Sequence, residues 1–180
     1  MKSYLHGDLR DAREALVWKL EGLSEYDVRR PMTPSGTNLL GMVKHVAYSS
    51  ARYFGEVFDR PFADVPRWNA PGAWEGEHYA TAAESREDVL ALYARVAAHA
   101  DETISSLELD SPGHVPWWPR PDVQLYKIIA HMLAEINRHA GHADILREQL
   151  DGGVGEWPGR EGAADPEYWG VVAGGAAGFR

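Results

Sequence analysis

Apolar residues recur at helical spacing in four stretches of the chain, separated by segments rich in Pro, Gly and Trp. The first stretch runs from about Leu5 to Leu23, with Leu9, Leu16 and Leu20 on its apolar side. The second starts near Thr37, a residue type that caps helix N-termini, and continues to about Phe58. Leu39, Val43, Val46, Ala47, Phe54, Val57 and Phe58 fall on one side of it. The third opens at Ser85 with Asp88 three positions later, the spacing of a capping box, and carries Val89, Leu92, Val96, Ile104 and Leu107. The fourth runs from about Asp122 to Leu150 with Leu125, Ile128, Ile129, Met132, Leu133, Ile136, Ala140, Ala143 and Leu146. Asp151-Gly152-Gly153 ends it, because glycine readily takes the left-handed conformation that follows a last turn. No stretch alternates convincingly with the strand period, so the pattern predicts an all-α fold, a four-helix bundle.

The links between these helices are long. Residues 60–84 contain Pro61, Pro66, Trp68, Pro71, Trp74 and Tyr79, and residues 111–121 contain Trp117 and Trp118 between prolines. Such loops in a small domain are often functional. Trp117 and Trp118, with Trp68, Trp74 and Tyr79, either wall an apolar pocket or plug the open end of the bundle. His114 and Arg120 flank the tryptophan pair, a placement suited to an anionic group. Half of the 18 glycines follow Leu150. A bundle over 1–155 and an irregular Gly-rich tail over 156–180, packed on the bundle or extending from it, are expected.

Composition narrows the function classes. At 180 residues, 44% hydrophobic and 25% charged, the chain suits one globular domain with a short appendage. It has no cysteine, which excludes disulfide scaffolds, thiolate zinc fingers, iron–sulfur clusters and a cysteine nucleophile. The net charge of −9 comes without a basic cluster, so no nucleic-acid partner is expected. No stretch approaches the roughly 18 apolar residues of a membrane span, and the N-terminus has no apolar signal core, which points to a cytoplasmic protein without a membrane partner.

Candidate chemistry concentrates on the fourth helix. His131, Glu135, His139 and His142 share one sector of it, with Glu135 and His139 along the flank of the apolar stripe. A carboxylate beside a buried stripe is costly unless paired. Its partner is a protonated His139, an arginine such as Arg138 of a neighbouring molecule, or a metal ion. A Glu–His pair four apart is also common as a solvated surface pair. The spacing excludes a His-Glu-x-x-His protease and the Glu-x-x-His pairs of ferritin-like di-iron proteins. On the second helix, His45 lies opposite the apolar stripe near Asn38, Ser49, Arg52 and Glu56. That is a surface position, and His45 becomes a ligand only where this side faces a cleft. His6, His78 and His99 read as surface residues.

Three segments together resemble a known family. The Leu-x-x-x-x-Lys-His45-Val-Ala helix, the Pro-Trp117-Trp118 loop and the run His131-Met-Leu-Ala-Glu135-x-x-x-His139-Ala-Gly-His142-Ala-Asp-Ile-Leu-Arg-Glu look like the DinB-like superfamily. More narrowly, they are similar to its actinobacterial branch of unknown function, sometimes labelled mini-circle protein, over about residues 5–155. The resemblance implies a four-helix bundle with a divalent metal at one end, zinc or nickel, held by one His of the second helix and two ligands four apart on the last. Many relatives have two His there. The Glu-x-x-x-His form matches the related mycothiol-dependent maleylpyruvate isomerases, so the implied ligands are His45, Glu135 and His139. His142 falls where many relatives have Gln and is placed at the pocket, not among the ligands. The function so implied is a metal-dependent enzyme acting on a small molecule, a thiol-dependent transferase or isomerase, with a low-molecular-weight thiol as a partner. The alternative is a non-catalytic metal or small-ligand binding protein on the same fold. Relatives are often dimers, and a homodimer is compatible with the mixed faces of the second and third helices.

Overall fold

A computed structural model describes residues 1–159, 162 and 165–177. The chain is mostly helical. In order it forms α1 (Lys2–Trp18), the short α2 (Glu25–Arg29), α3 (Leu39–Phe54), a 3-10 turn (Glu56–Phe58) and α4 (Arg86–Ser106). A hairpin of β1 (Pro112–His114) and β2 (Asp122–Gln124) follows, then α5 (Leu125–Asp151) and α6 (Pro166–Ala177). The four long helices α1, α3, α4 and α5 share one core, with α3 against α4 and α1 against α5. Leu9 and Leu16 of α1, Leu40, Val43 and Phe54 of α3, Ile104 of α4, and Ile128 and Ile136 of α5 are fully buried. Each such side chain contributes about 1.5–3 kcal/mol relative to exposure.

Local signals placed the elements well where they were strong. Ser85 accepts from the Asp88 amide while the Asp88 carboxylate accepts from Ser85, so the capping box forms. Gly152, at φ 80°, closes α5 in the left-handed region. Other boundaries shift. Asn38, not Thr37, caps α3, its Oδ1 accepting from the Gly41 amide at 2.7 Å. The first helix stops at Trp18 because Arg147 of α5 donates to the carbonyls of Lys19 (2.9 Å) and Glu21 (2.7 Å), satisfying the end of α1. Residues 122–124 leave the expected fourth helix to pair with residues 112–114.

The tail expected to be irregular is helical over Pro166–Ala177. Proline suits a first helical position, and Asp165 Oδ1 accepts from the amides of Glu167 (3.0 Å) and Tyr168 (3.1 Å), a local cap that outweighs the glycines. Positions 160, 161, 163, 164 and 178–180 of that expected tail lie outside the described residues. Among the described residues, no helix is long and apolar enough to cross a membrane.

Asp101 ties α4 to α1. His6 Nε2 (2.8 Å), Arg10 Nε (2.9 Å) and Arg13 Nη1 (2.6 Å) all donate to its carboxylate. Burial pushes this carboxyl up, but the hydrogen bonds from His6 and Arg13 and the charge of Arg13 outweigh burial and hold it below the ordinary 3.8. A carboxyl depressed in the folded state stabilises above its unfolded value and loses that contribution as pH falls through the folded one. The melting temperature is therefore expected to drop as pH is lowered from about 4, with a shallower drop in Asp101→Asn, read by circular dichroism. Equal acid slopes would remove Asp101 from the account.

Candidate metal centre

The site is built where α3 and α5 run antiparallel and a long loop closes over them. Going up α3 from His45 to Tyr53 corresponds to going down α5 from His139 to His131. His45 and His139 rings lie 4.9 Å apart, and Tyr53 and His131 rings 4.7 Å apart. The loop over residues 60–84 is anchored to α3 by charged side chains. Arg52 donates to the Ala73 carbonyl and to Glu77 Oε2 (2.7 Å), and its guanidinium covers the Trp74 ring at 3.9 Å. Lys44 donates to the Tyr79 carbonyl at 3.0 Å and pairs with Glu84 at 2.7 Å. These contacts bury the side of α3 that periodicity alone assigns to solvent.

His45, Glu135 and His139 therefore meet. His139 Nε2 lies 3.1 Å and His45 Nε2 3.6 Å from the same oxygen, Glu135 Oε1. On its other side the His45 ring donates from Nδ1 to Glu77 Oε1 at 3.1 Å. His78 stacks on His45 with ring centroids 4.3 Å apart. Among the described residues, two groups of three could each hold a divalent ion: His45 with Glu135 and His139, and His45 with Glu77 and His78.

The electrostatics favour the charge states a metal needs. Burial pushes Glu135 up, but the hydrogen bond with His139 and the two imidazoles beside it outweigh burial and hold the carboxyl below its ordinary value, so it is ionised. Burial and the neighbouring His45 push His139 down, which leaves its ring neutral near pH 7. The buried His139 Nδ1 finds no hydrogen-bond partner among the described residues. With Nδ1 donating to Glu77, the other ring nitrogen of His45, Nε2, faces the Glu135 carboxylate. Two electron-rich atoms facing each other at 3.6 Å are the arrangement a bound cation relieves.

The cluster borders a cleft of about 620 Å³, lined by His139 and His142 of α5, Met42 of α3, Arg29 of α2, and His78 and Tyr79 of the loop. That volume suits a small-molecule ligand. Of the pocket residues expected from sequence, His142 stands on this cleft, its ring 5.9 Å from that of His139. Trp117 and Trp118 do not line it. Both indole N–H groups donate to the Tyr53 hydroxyl, at 3.3 and 3.1 Å, and Trp118 packs against His131. They sit about 12 Å along the helix pair from the donors, since eight residues of helix separate Tyr53 from His45. His78 is exposed, as its surface reading has it, yet it belongs to the site wall. Glu77 was not singled out by any sequence signal. Only its neighbour His78 and the surrounding tryptophans mark the loop.

A family model described as mycothiol-S-transferase matches residues 4–152. No curated protein matches the chain. The match covers most of the sequence, and the chain belongs to the mycothiol-S-transferase family, within the DinB-like superfamily.

Proposed function

We propose that this member of the mycothiol-S-transferase family binds one divalent ion through His45, Glu135 and His139 and transfers a low-molecular-weight thiol, mycothiol by the family's name, to a small electrophile. The observation that carries the reading is the convergence of Nε2 of His45 and Nε2 of His139 on Oε1 of Glu135 beside an open cleft. Two imidazoles and a carboxylate suit zinc or nickel and leave an open coordination position, the make-up of catalytic centres. When bound there, the ion favours the thiolate over the thiol.

The chain contributes no sulfhydryl of its own, so the reacting sulfur arrives with the substrate. The hydroxyls of Tyr79 and Ser35 offer polar groups on the cleft walls to a sugar-like thiol carrier. His142, on the cleft wall, accepts the thiol proton, and the sulfur's electron pair forms the new bond to the electrophilic carbon while the leaving group departs with the pair of the bond it breaks. The same reading assigns residues 1–155 to one DinB-like four-helix bundle and 156–180 to an appendage.

The test is metal content together with turnover. Protein without a tag should hold near one equivalent of zinc or nickel by inductively coupled plasma mass spectrometry. It should conjugate mycothiol to a fluorogenic alkyl halide faster with the ion than after chelation. Binding of ion and thiol without turnover would favour a non-catalytic binding protein. No ion after dialysis against zinc and nickel would overturn the reading.

A further inference from the structure

Arg52 lies seven residues after His45, two turns further along the same face of α3, and loop residue Glu77 is inserted between them. Both members of the ion pair are almost completely buried, Arg52 at 1% and Glu77 at 3% exposure. The two oxygens of Glu77 have separate partners. Oε2 accepts from Arg52 Nη1 at 2.7 Å and Oε1 accepts from His45 Nδ1 at 3.1 Å. The guanidinium is itself fixed, by the Ala73 carbonyl and the Trp74 ring.

We propose that Glu77 is a positioning residue for His45: backed by Arg52, it holds the proton on Nδ1 and so reserves Nε2 as the ligand atom. This inference rests on assigning the ion to His45, Glu135 and His139. A carboxylate on one ring nitrogen fixes the tautomer and the ring plane and raises the basicity of the other nitrogen. Glu77 suits that role better than direct ligation. Its charge is already matched by Arg52, and both of its oxygens are engaged. The remaining member of the second group, His78, is 68% exposed and meets His45 ring to ring.

Glu77→Gln keeps the size of the side chain and an oxygen for Nδ1–H but removes the charge. Its zinc affinity, measured by competition with a chromophoric chelator, is expected to fall about 10–100-fold while one equivalent still binds. The ¹⁵N shifts of the metal-free protein provide a readout that a merely structural role would not move. Wild type should show His45 protonated on Nδ1 and bare on Nε2, and Glu77→Gln a mixture of tautomers. Arg52→Lys, which keeps the positive charge, should show a smaller loss of affinity than Glu77→Gln. An unchanged affinity in Glu77→Gln, or a wild-type His45 protonated on Nε2, would overturn the inference. So would complete loss of the ion in both Glu77→Gln and His78→Ala, which would make Glu77 a ligand. Failure of the underlying metal assignment has a different signature: Glu135→Ala and His139→Ala would keep the ion while the His45 tautomer still followed Glu77.

Discussion

His139→Ala is expected to lose the divalent ion and, with it, thiol transfer, whereas His131→Ala on the same helix keeps both. The sequence pattern puts His139 on the flank of the apolar stripe and His131 further toward the polar side, and the structure shows what faces each. His139 Nε2 lies 3.1 Å from Glu135 Oε1 and its ring meets that of His45. His131 is enclosed by Tyr53 and Trp118. Under the proposed ligand set, removing His139 takes away one of three ligands and should weaken binding beyond the roughly 100-fold that outer-shell changes bring. The loss is measurable without an activity assay. An ion present at about 100 times its dissociation constant stabilises the folded state by about 2.7 kcal/mol, so added zinc should raise the melting temperature of wild type and of His131→Ala. It should leave that of His139→Ala and Glu135→Ala where it was. Metal-free His139→Ala should melt close to metal-free wild type, because the ring it loses carries a buried nitrogen without a partner. Zinc-dependent stabilisation surviving in His139→Ala would shift the centre to the group with Glu77 and His78.

What the sequence revealed about this centre, and what it hid, follows from the range of the interactions. The meeting of Glu135 and His139 on α5 was legible because their relation is local: they are one turn apart beside a continuous apolar stripe, and helix geometry alone puts them together. The Ser85–Asp88 box and the Gly152 stop were legible for the same reason. His45 was a conditional case. On the wheel of α3 it belongs to the polar side, and only the loop over residues 60–84 turns that side into an interior. That loop is held by Arg52, Lys44 and Glu56, none of which looks apolar, so no hydrophobic pattern announces it. Glu77 is 32 residues from His45 in sequence, and its role exists only through this docking. Of the two roles open to the tryptophans, pocket wall or plug, the sequence could not choose, for a related reason. Their bulk signals burial, but the common Tyr53 hydroxyl, not the metal donors, sets where they pack.

The seat of that loop on α3 yields the other large effect. Gly41→Ala should destabilise the protein, although alanine is the better helix former by about 1 kcal/mol. A methyl group at Gly41 would fall far inside contact with the His78 carbonyl oxygen, 2.7 Å from its carbon and 2.9 Å from Asn38 Oδ1. The obstacle is backbone, and α3 is buried on both sides of this residue, so it is the loop that must move away. Moving it withdraws Glu77 and the Ala73 carbonyl from Arg52, which is left as a buried, uncompensated charge. Breaking a buried pair in this way costs about 3–5 kcal/mol, which exceeds the helix-propensity gain. For a protein of this length each kcal/mol is worth about 2–4 °C, so the melting temperature should fall by roughly 5–15 °C. Zinc affinity should fall too, as His45 loses the partner of its Nδ1. Gly141→Ala is the control: it lies in α5 with nothing within 4 Å of the added carbon and should raise stability by about 0.5–1 kcal/mol. Stabilisation in both variants would mean that the loop does not rest on α3, and the outer support of the metal centre would have to be sought elsewhere.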